Sequence, residues 1–146
     1  MIRIRYPEPA FRIKSEAGKE YIFDTFRKKW LVLTPEEWVR QNFLQYLVQE
    51  MKYPLSLIAV EKEFRFGEMN RRFDILIYNT DHLPWMMVEC KAPEIPLDQA
   101  VLEQVLRYNI SIPVTYLVIT NGSNGFGWHK QGASLHPLDG LPAFGS

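Results

Sequence analysis

At 146 residues, with 47% hydrophobic and 23% charged residues and a formal net charge of zero, the chain has the make-up of one globular domain. That balance excludes disorder as a main theme, and the single cysteine excludes a disulfide framework or a CxxC metal site. No apolar run approaches the roughly 18 residues needed to span a bilayer. The opening MIRIRYPEPA is charged and lacks the apolar stretch of a secretory signal, so a cytoplasmic setting without membrane contact is expected. Neutralised phosphates supply much of a DNA binder's affinity, so a net charge of zero counts against strong unassisted DNA binding. Two local basic groups, Arg27-Lys28-Lys29 and Arg65 with Arg71 and Arg72, each read first as a solvated face.

In chain order, IRIRY, FRIK, YIFDTF and KKWLVL read as short strands, with Gly18 at a turn. The period then changes. Thr34 is placed to cap a helix, Pro35 suits its first position, and Glu36 and Glu37 complement its dipole. Glu37, three residues after Thr34, completes a capping-box pattern. Val39, Phe43, Tyr46, Leu47 and Met51 recur at helical spacing, and the helix should end near Tyr53-Pro54. SLIAVEKEFRF reads as a strand, followed by a turn at residues 67–70. RRFDILIYN and PWMMVECKA form two more strands around TDHL. LDQAVLEQVLRYN is a second helix between Pro96 and Pro113, VTYLVIT a strand buried on both faces, GFGWHKQ a last short strand, and GASLHPLDGLPAFGS a loop. The whole predicts an α/β (α+β) domain: a mixed β-sheet flanked by helices, with an N-terminal β extension. Residues 1–33 supply the N-terminal strands, 34–130 the core and 131–146 a tail, in a single domain over 1–146.

The chemistry concentrates around TDHL. With the turn centred between Asp81 and His82, an antiparallel hairpin sets Asp74 opposite Glu89, and opposed residues have Cβ atoms roughly 4.5–5.5 Å apart. Alternation puts Glu89 and Lys91 on one face and Cys90 on the other. Phe73, Ile75 and Ile77 are expected to alternate against Asp74. Facing carboxylates repel, and a divalent cation would remove the penalty; carboxylate oxygens suit Mg²⁺. Taken alone, the same residues also describe an ordinary ion-paired sheet face, with Asp74 on Arg72. In the second helix Gln104 and Tyr108 stand at i and i+4, beside Val101 and Val105, where an amide and a phenol could meet a phosphate or a metal-bound water. On the first helix Glu37 shares a face with Arg40 and Gln41, although capping by itself accounts for it.

RKKWLVLTPEEWVRQNFLQYLV, the EKEF strand, RRFDILIYN, PWMMVECKAP, the QVLRYN helix and LVITNG come in an order that resembles a known family. The chain is similar to the N-terminal domain of type I restriction enzyme R subunits, within the PD-(D/E)xK nuclease superfamily, from about Tyr21 to about Trp128. The resemblance implies a restriction-endonuclease-like core and a metal-dependent endonuclease acting on DNA, in restriction, defence or repair. It implies that Asp74, Glu89 and the main-chain carbonyl of Cys90 hold Mg²⁺, with Mn²⁺ as a substitute. Lys91 would orient or help deprotonate the attacking water, Gln104 and Tyr108 match a QxxxY motif, and Glu37 matches an acidic position on the first helix. Phe73 stands where the superfamily name has proline. These residues leave no room for the helicase motor of the large restriction subunits. The alternative is therefore a nuclease-fold binding module that works only with a partner motor or restriction-modification subunit. One such site cuts one strand, so a double-strand break would call for a second copy of the chain.

His82, His129 and His136 are too scattered to suggest zinc. Trp30, Trp38, Trp85 and Trp128 could stack on bases but read first as core residues. The glycines near Asn121 form neither GxGxxG nor a P-loop.

Overall fold

The computed structural model describes residues 1–146, apart from the side chains of Phe64, Phe66 and Met69. Its main body is a 6-stranded mixed sheet in the order β4-β5-β6-β7-β8-β9. The strands are β4 (Ile58–Phe66), β5 (Met69–Tyr78), β6 (Pro84–Cys90), β7 (Tyr116–Thr120), β8 (Gly125–Gln131) and β9 (Ser134–Pro137). β6 and β7 run parallel and the other neighbours antiparallel. A separate 3-stranded sheet is built from β1 (Ile13–Glu16), β2 (Lys19–Asp24) and β3 (Lys29–Val32). The expected N-terminal β extension is therefore present but does not join the main sheet. IRIRY is not a strand: it contributes one bridge, Ile2 to Gly125.

Helix α1 (Pro35–Gln49) starts where the sequence puts it, because Thr34 Oγ1 accepts the Glu37 N–H at 3.0 Å. It ends earlier than expected. The chain leaves through Lys52 at φ 59, and the Tyr53 N–H bonds back to the Leu47 carbonyl at 3.0 Å. That left-handed exit closes the helix before Pro54 is reached. Helix α2 (Gln99–Asn109) is capped by Asp98, whose carboxylate accepts the Val101 N–H.

The helices cover opposite faces of the sheet. Val39, Phe43, Leu44 and Leu47 of α1 pack with Ile75, Ile77, Met86, Val88, Cys90, Tyr116 and Val118. Val105 of α2 packs with Leu76, Met87, Leu117 and Ile119. Alternate residues of β6 and β7 thus serve different layers, and all of β7 is buried.

The residues after 131 are not a loop throughout. β9 pairs with β8 across a turn at Gly132, whose φ of 61 suits a residue without Cβ. Beyond it, Leu138, Leu141 and Phe144 pack on the α1-side core, and the Tyr53 hydroxyl donates to the Pro142 carbonyl at 2.6 Å. A short edge strand with mostly exposed residues leaves little hydrophobic alternation to read.

Candidate active site

The β5–β6 register is the one that the hairpin spacing predicts. Ile75 faces Val88, Leu76 faces Met87 and Ile77 faces Met86, and the paired residues stop one step short of Asp74 and Glu89. An irregularity between Ile77 and Tyr78 lies near the turn and leaves the other end in step. At that end the Asp74 carboxylate takes over from the ladder: its Oδ2 accepts the Cys90 N–H at 2.8 Å.

Regular alternation fails at Asp74. Phe73 packs in the α2-side cluster, whereas Ile75 and Ile77 lie in the α1-side cluster, so the three do not share a face. On the neighbouring strand the pairing skips from Val60–Ile75 to Lys62–Phe73, and Glu61 between them has φ 54. A left-handed residue inside a strand breaks the pleat and re-aims its side chain. Glu61 and Asp74 both meet Arg40 of α1, at 2.7 and 2.9 Å.

Arg40 is the centre of this region. It is 5% exposed, and besides Glu61 and Asp74 it contacts Glu37 at 2.6 Å and Glu36 at 3.3 Å. Burial by itself pulls its guanidinium towards a lower pKa. The hydrogen bond to Asp74 and the charges of Glu37, Asp74 and Glu61 outweigh that, and the group is held above its ordinary value. Glu36 is pushed up by burial and by the nearby Asp74 charge, against the pull of Arg40. The Glu37 carboxylate also accepts from Gln41 at 3.0 Å and from Arg27, which pairs in turn with Asp24. Asp74 is therefore not paired with Arg72, which instead meets Glu61 at 2.9 Å.

On the other face, Glu89, Lys91, Gln104 and Tyr108 line one cavity of about 230 Å³ with Ile95, Val101 and Val105. Glu89 Oε1 and Lys91 Nζ are 3.3 Å apart. Lys91 is held at the strand end because its N–H donates to the Thr120 carbonyl at 2.8 Å. Cys90 points the other way, into the core, where burial pushes its thiol well above the ordinary range. It is placed as a packing residue rather than a nucleophile.

Of the residues singled out from sequence, Glu89, Lys91, Gln104 and Tyr108 thus meet around one cavity, and Asp74 adjoins them through the Cys90 amide. Glu37 does not line that cavity; it connects to Asp74 through Arg40. Glu61 carries no signal in the sequence: EKEF reads as an ordinary alternating strand, and a left-handed backbone at Glu61 has no signature in residue type. Among the described residues, no group of three or more His, Cys, Asp or Glu side chains lies close enough to hold a metal ion. No helix is long and apolar enough to cross a membrane.

No curated protein matches the sequence. The family model described as type I restriction enzyme R protein N terminus matches residues 35–142, from the first helical residue through the last strand and into the C-terminal segment. That span takes in the sheet, both helices and every residue of the cavity, and it relates the chain to type I restriction systems. The chain belongs to the type I restriction enzyme R protein N-terminus family.

Proposed function

We propose that this chain is a metal-dependent endonuclease of the PD-(D/E)xK type, hydrolysing phosphodiester bonds in DNA within a restriction, defence or repair system. The observation that carries the reading is the grouping of Glu89 and Lys91 with Gln104 and Tyr108 around one cavity, beside the strand end that bears Asp74.

Asp74, Glu89 and the Cys90 carbonyl would hold Mg²⁺, or Mn²⁺ in its place. The donor set fits in kind: all are hard oxygens, and Mg²⁺ is commonly held by one or two carboxylates while keeping several waters. Asp74 is turned to Arg40 and Glu89 to the α2-side cavity, so the two carboxylates would have to swing towards the strand end to share the ion. When bound, the ion supplies Lewis acidity and lowers the pKa of water. The Lys91 ammonium would orient the attacking water and stabilise negative charge as it develops on the phosphoryl oxygens. Gln104 and Tyr108 would hydrogen-bond the phosphate from the helix side. Glu37 serves as a positioning residue: it holds Arg40, and Arg40 holds Asp74.

A specific observation favours a second reading, in which the site works only with a partner motor or modification subunit. Both Asp74 oxygens are engaged, one by Arg40 and one by the Cys90 N–H. A cation would have to share or displace the guanidinium. The net charge of zero points the same way.

The deciding experiment incubates the purified protein with supercoiled plasmid and with single-stranded DNA in Mg²⁺, Mn²⁺ or EDTA, beside Lys91→Ala. Metal-dependent cleavage that disappears in the variant, with circular dichroism unchanged, is the expected result. Full activity in Lys91→Ala removes Lys91 from the mechanism, and no cleavage under any condition transfers the proposal to the partner-dependent module.

A further inference from the structure

The side chains of the cavity carry little net charge of their own, and the cation of the nuclease reading serves the scissile phosphate alone. Lys91 is 3.3 Å from Glu89, so the two offset each other, and Gln104 and Tyr108 are neutral hydrogen-bonding groups. A nucleic acid also brings backbone phosphates on either side of the reacting one, and each favours a cation of its own. Arg72, on β5, is turned to Glu61 at 2.9 Å. Arg71, its neighbour, goes to the other side: its Cζ lies 4.0 Å from the centre of the Tyr108 ring, and its Nη1 donates to the Tyr108 hydroxyl at 3.0 Å. Tyr108 is 57% exposed and lines the cavity, so this pair stands at the solvent side of the cavity.

We infer that Arg71, held against Tyr108, is a positioning residue that grips a backbone phosphate of the nucleic acid entering the Glu89–Lys91 cavity. The inference rests on the nuclease reading and deepens it. Stacking on an aromatic face orients the planar guanidinium before the ligand arrives, and the fork of N–H donors matches phosphate oxygens better than an ammonium does. Because β5 also carries Asp74, a phosphate held by Arg71 is indexed to the same strand as the reacting centre. Tyr108 then has two tasks, lining the cavity and seating the arginine.

The test is the salt dependence of binding. A short fluorescent DNA duplex is titrated with wild type, Arg71→Gln and Arg71→Lys, with Ca²⁺ in place of Mg²⁺, across a range of salt concentrations. Arg71→Gln should weaken binding roughly tenfold, as expected for loss of one charge-assisted contact. It should also reduce the slope of log K against log salt by about 0.9, the value for one phosphate contact. Arg71→Lys keeps the charge and should restore the slope while regaining only part of the affinity. An unchanged slope in Arg71→Gln, with or without a lower Tm, makes Arg71 a strut between β5 and α2 and overturns the inference, as does a wild-type chain that does not bind the duplex. Cleavage in Mg²⁺ is scored in parallel. Wild-type cleavage with an unaltered Arg71→Gln slope leaves the nuclease reading standing alone. An altered slope without cleavage leaves the phosphate grip standing alone.

Discussion

Replacing Arg40 with methionine keeps most of the stem's volume and removes the charge at the centre of the site. At an effective dielectric of 20, one pair of charges about 4 Å apart is worth about 4 kcal/mol before desolvation is counted. Arg40 has close contacts with Glu37, Glu61 and Asp74, so the gross attraction is several times that, and the burial of the guanidinium cancels much of it. Removing one member of such a network typically costs about 3–5 kcal/mol, because the partners are left buried and uncompensated. Two features place this case at the lower end. The Glu61 and Asp74 side chains are 23% and 18% exposed and can recover water, and Arg40 Nε is itself buried without a hydrogen-bond partner, a defect that methionine removes. We expect a loss of about 3 kcal/mol, which for a domain of this size lowers Tm by about 10 °C. The assay is thermal unfolding followed by circular dichroism at neutral pH. A loss below about 1 kcal/mol would refute the account of Arg40 as the charge that balances this cluster.

Glu36 gives a prediction of opposite sign. Its pKa is raised by burial and by Asp74, so its ionised form is disfavoured in the folded state: the stability it lends is fully present below its unfolded pKa and is lost as pH rises through the raised value. Glu36→Gln should therefore be slightly stabilising at neutral pH, by about 0.5 kcal/mol or less after solvent screening, with the gain vanishing in acid; melts at the two pH values decide it. Thr34→Ala removes the oxygen that accepts the Glu37 N–H and should cost about 1 kcal/mol in a urea titration, with the slope m unchanged. Gly127→Ala would bring a Cβ to 2.9 Å from Ile2 Cδ1 and 3.1 Å from Leu138 Cδ1. Both are ends of flexible side chains, so a cost of about 1 kcal/mol is expected, and Ile2→Ala in the same background should relieve it.

Features set by neighbouring residues were legible in the sequence. Thr34 and Pro35 mark the start of α1, the spacing of Val101, Gln104, Val105 and Tyr108 puts them on one side of α2, and period-2 alternation separates Glu89 and Lys91 from Cys90. Even the pairing of β5 with β6 could be read, because the short TDHL connection leaves few registers that keep Ile75, Ile77, Met86 and Val88 on one buried face. What escaped the sequence was the other half of the site. Arg40 and Asp74 are 34 positions apart, and nothing local says that a helical arginine will reach a strand aspartate. The same holds for Arg71 on Tyr108, for Ile2 on Gly125, and for the left-handed turn at Glu61 that breaks the alternation around Phe73. Capping, periodicity and hairpin register depend on forces that act within a turn of helix or across a tight loop, and residue types record them directly. The partner of a buried charge is chosen when α1 packs on the sheet, because desolvation makes any ion-pairing arrangement better than none, and that choice belongs to the tertiary structure.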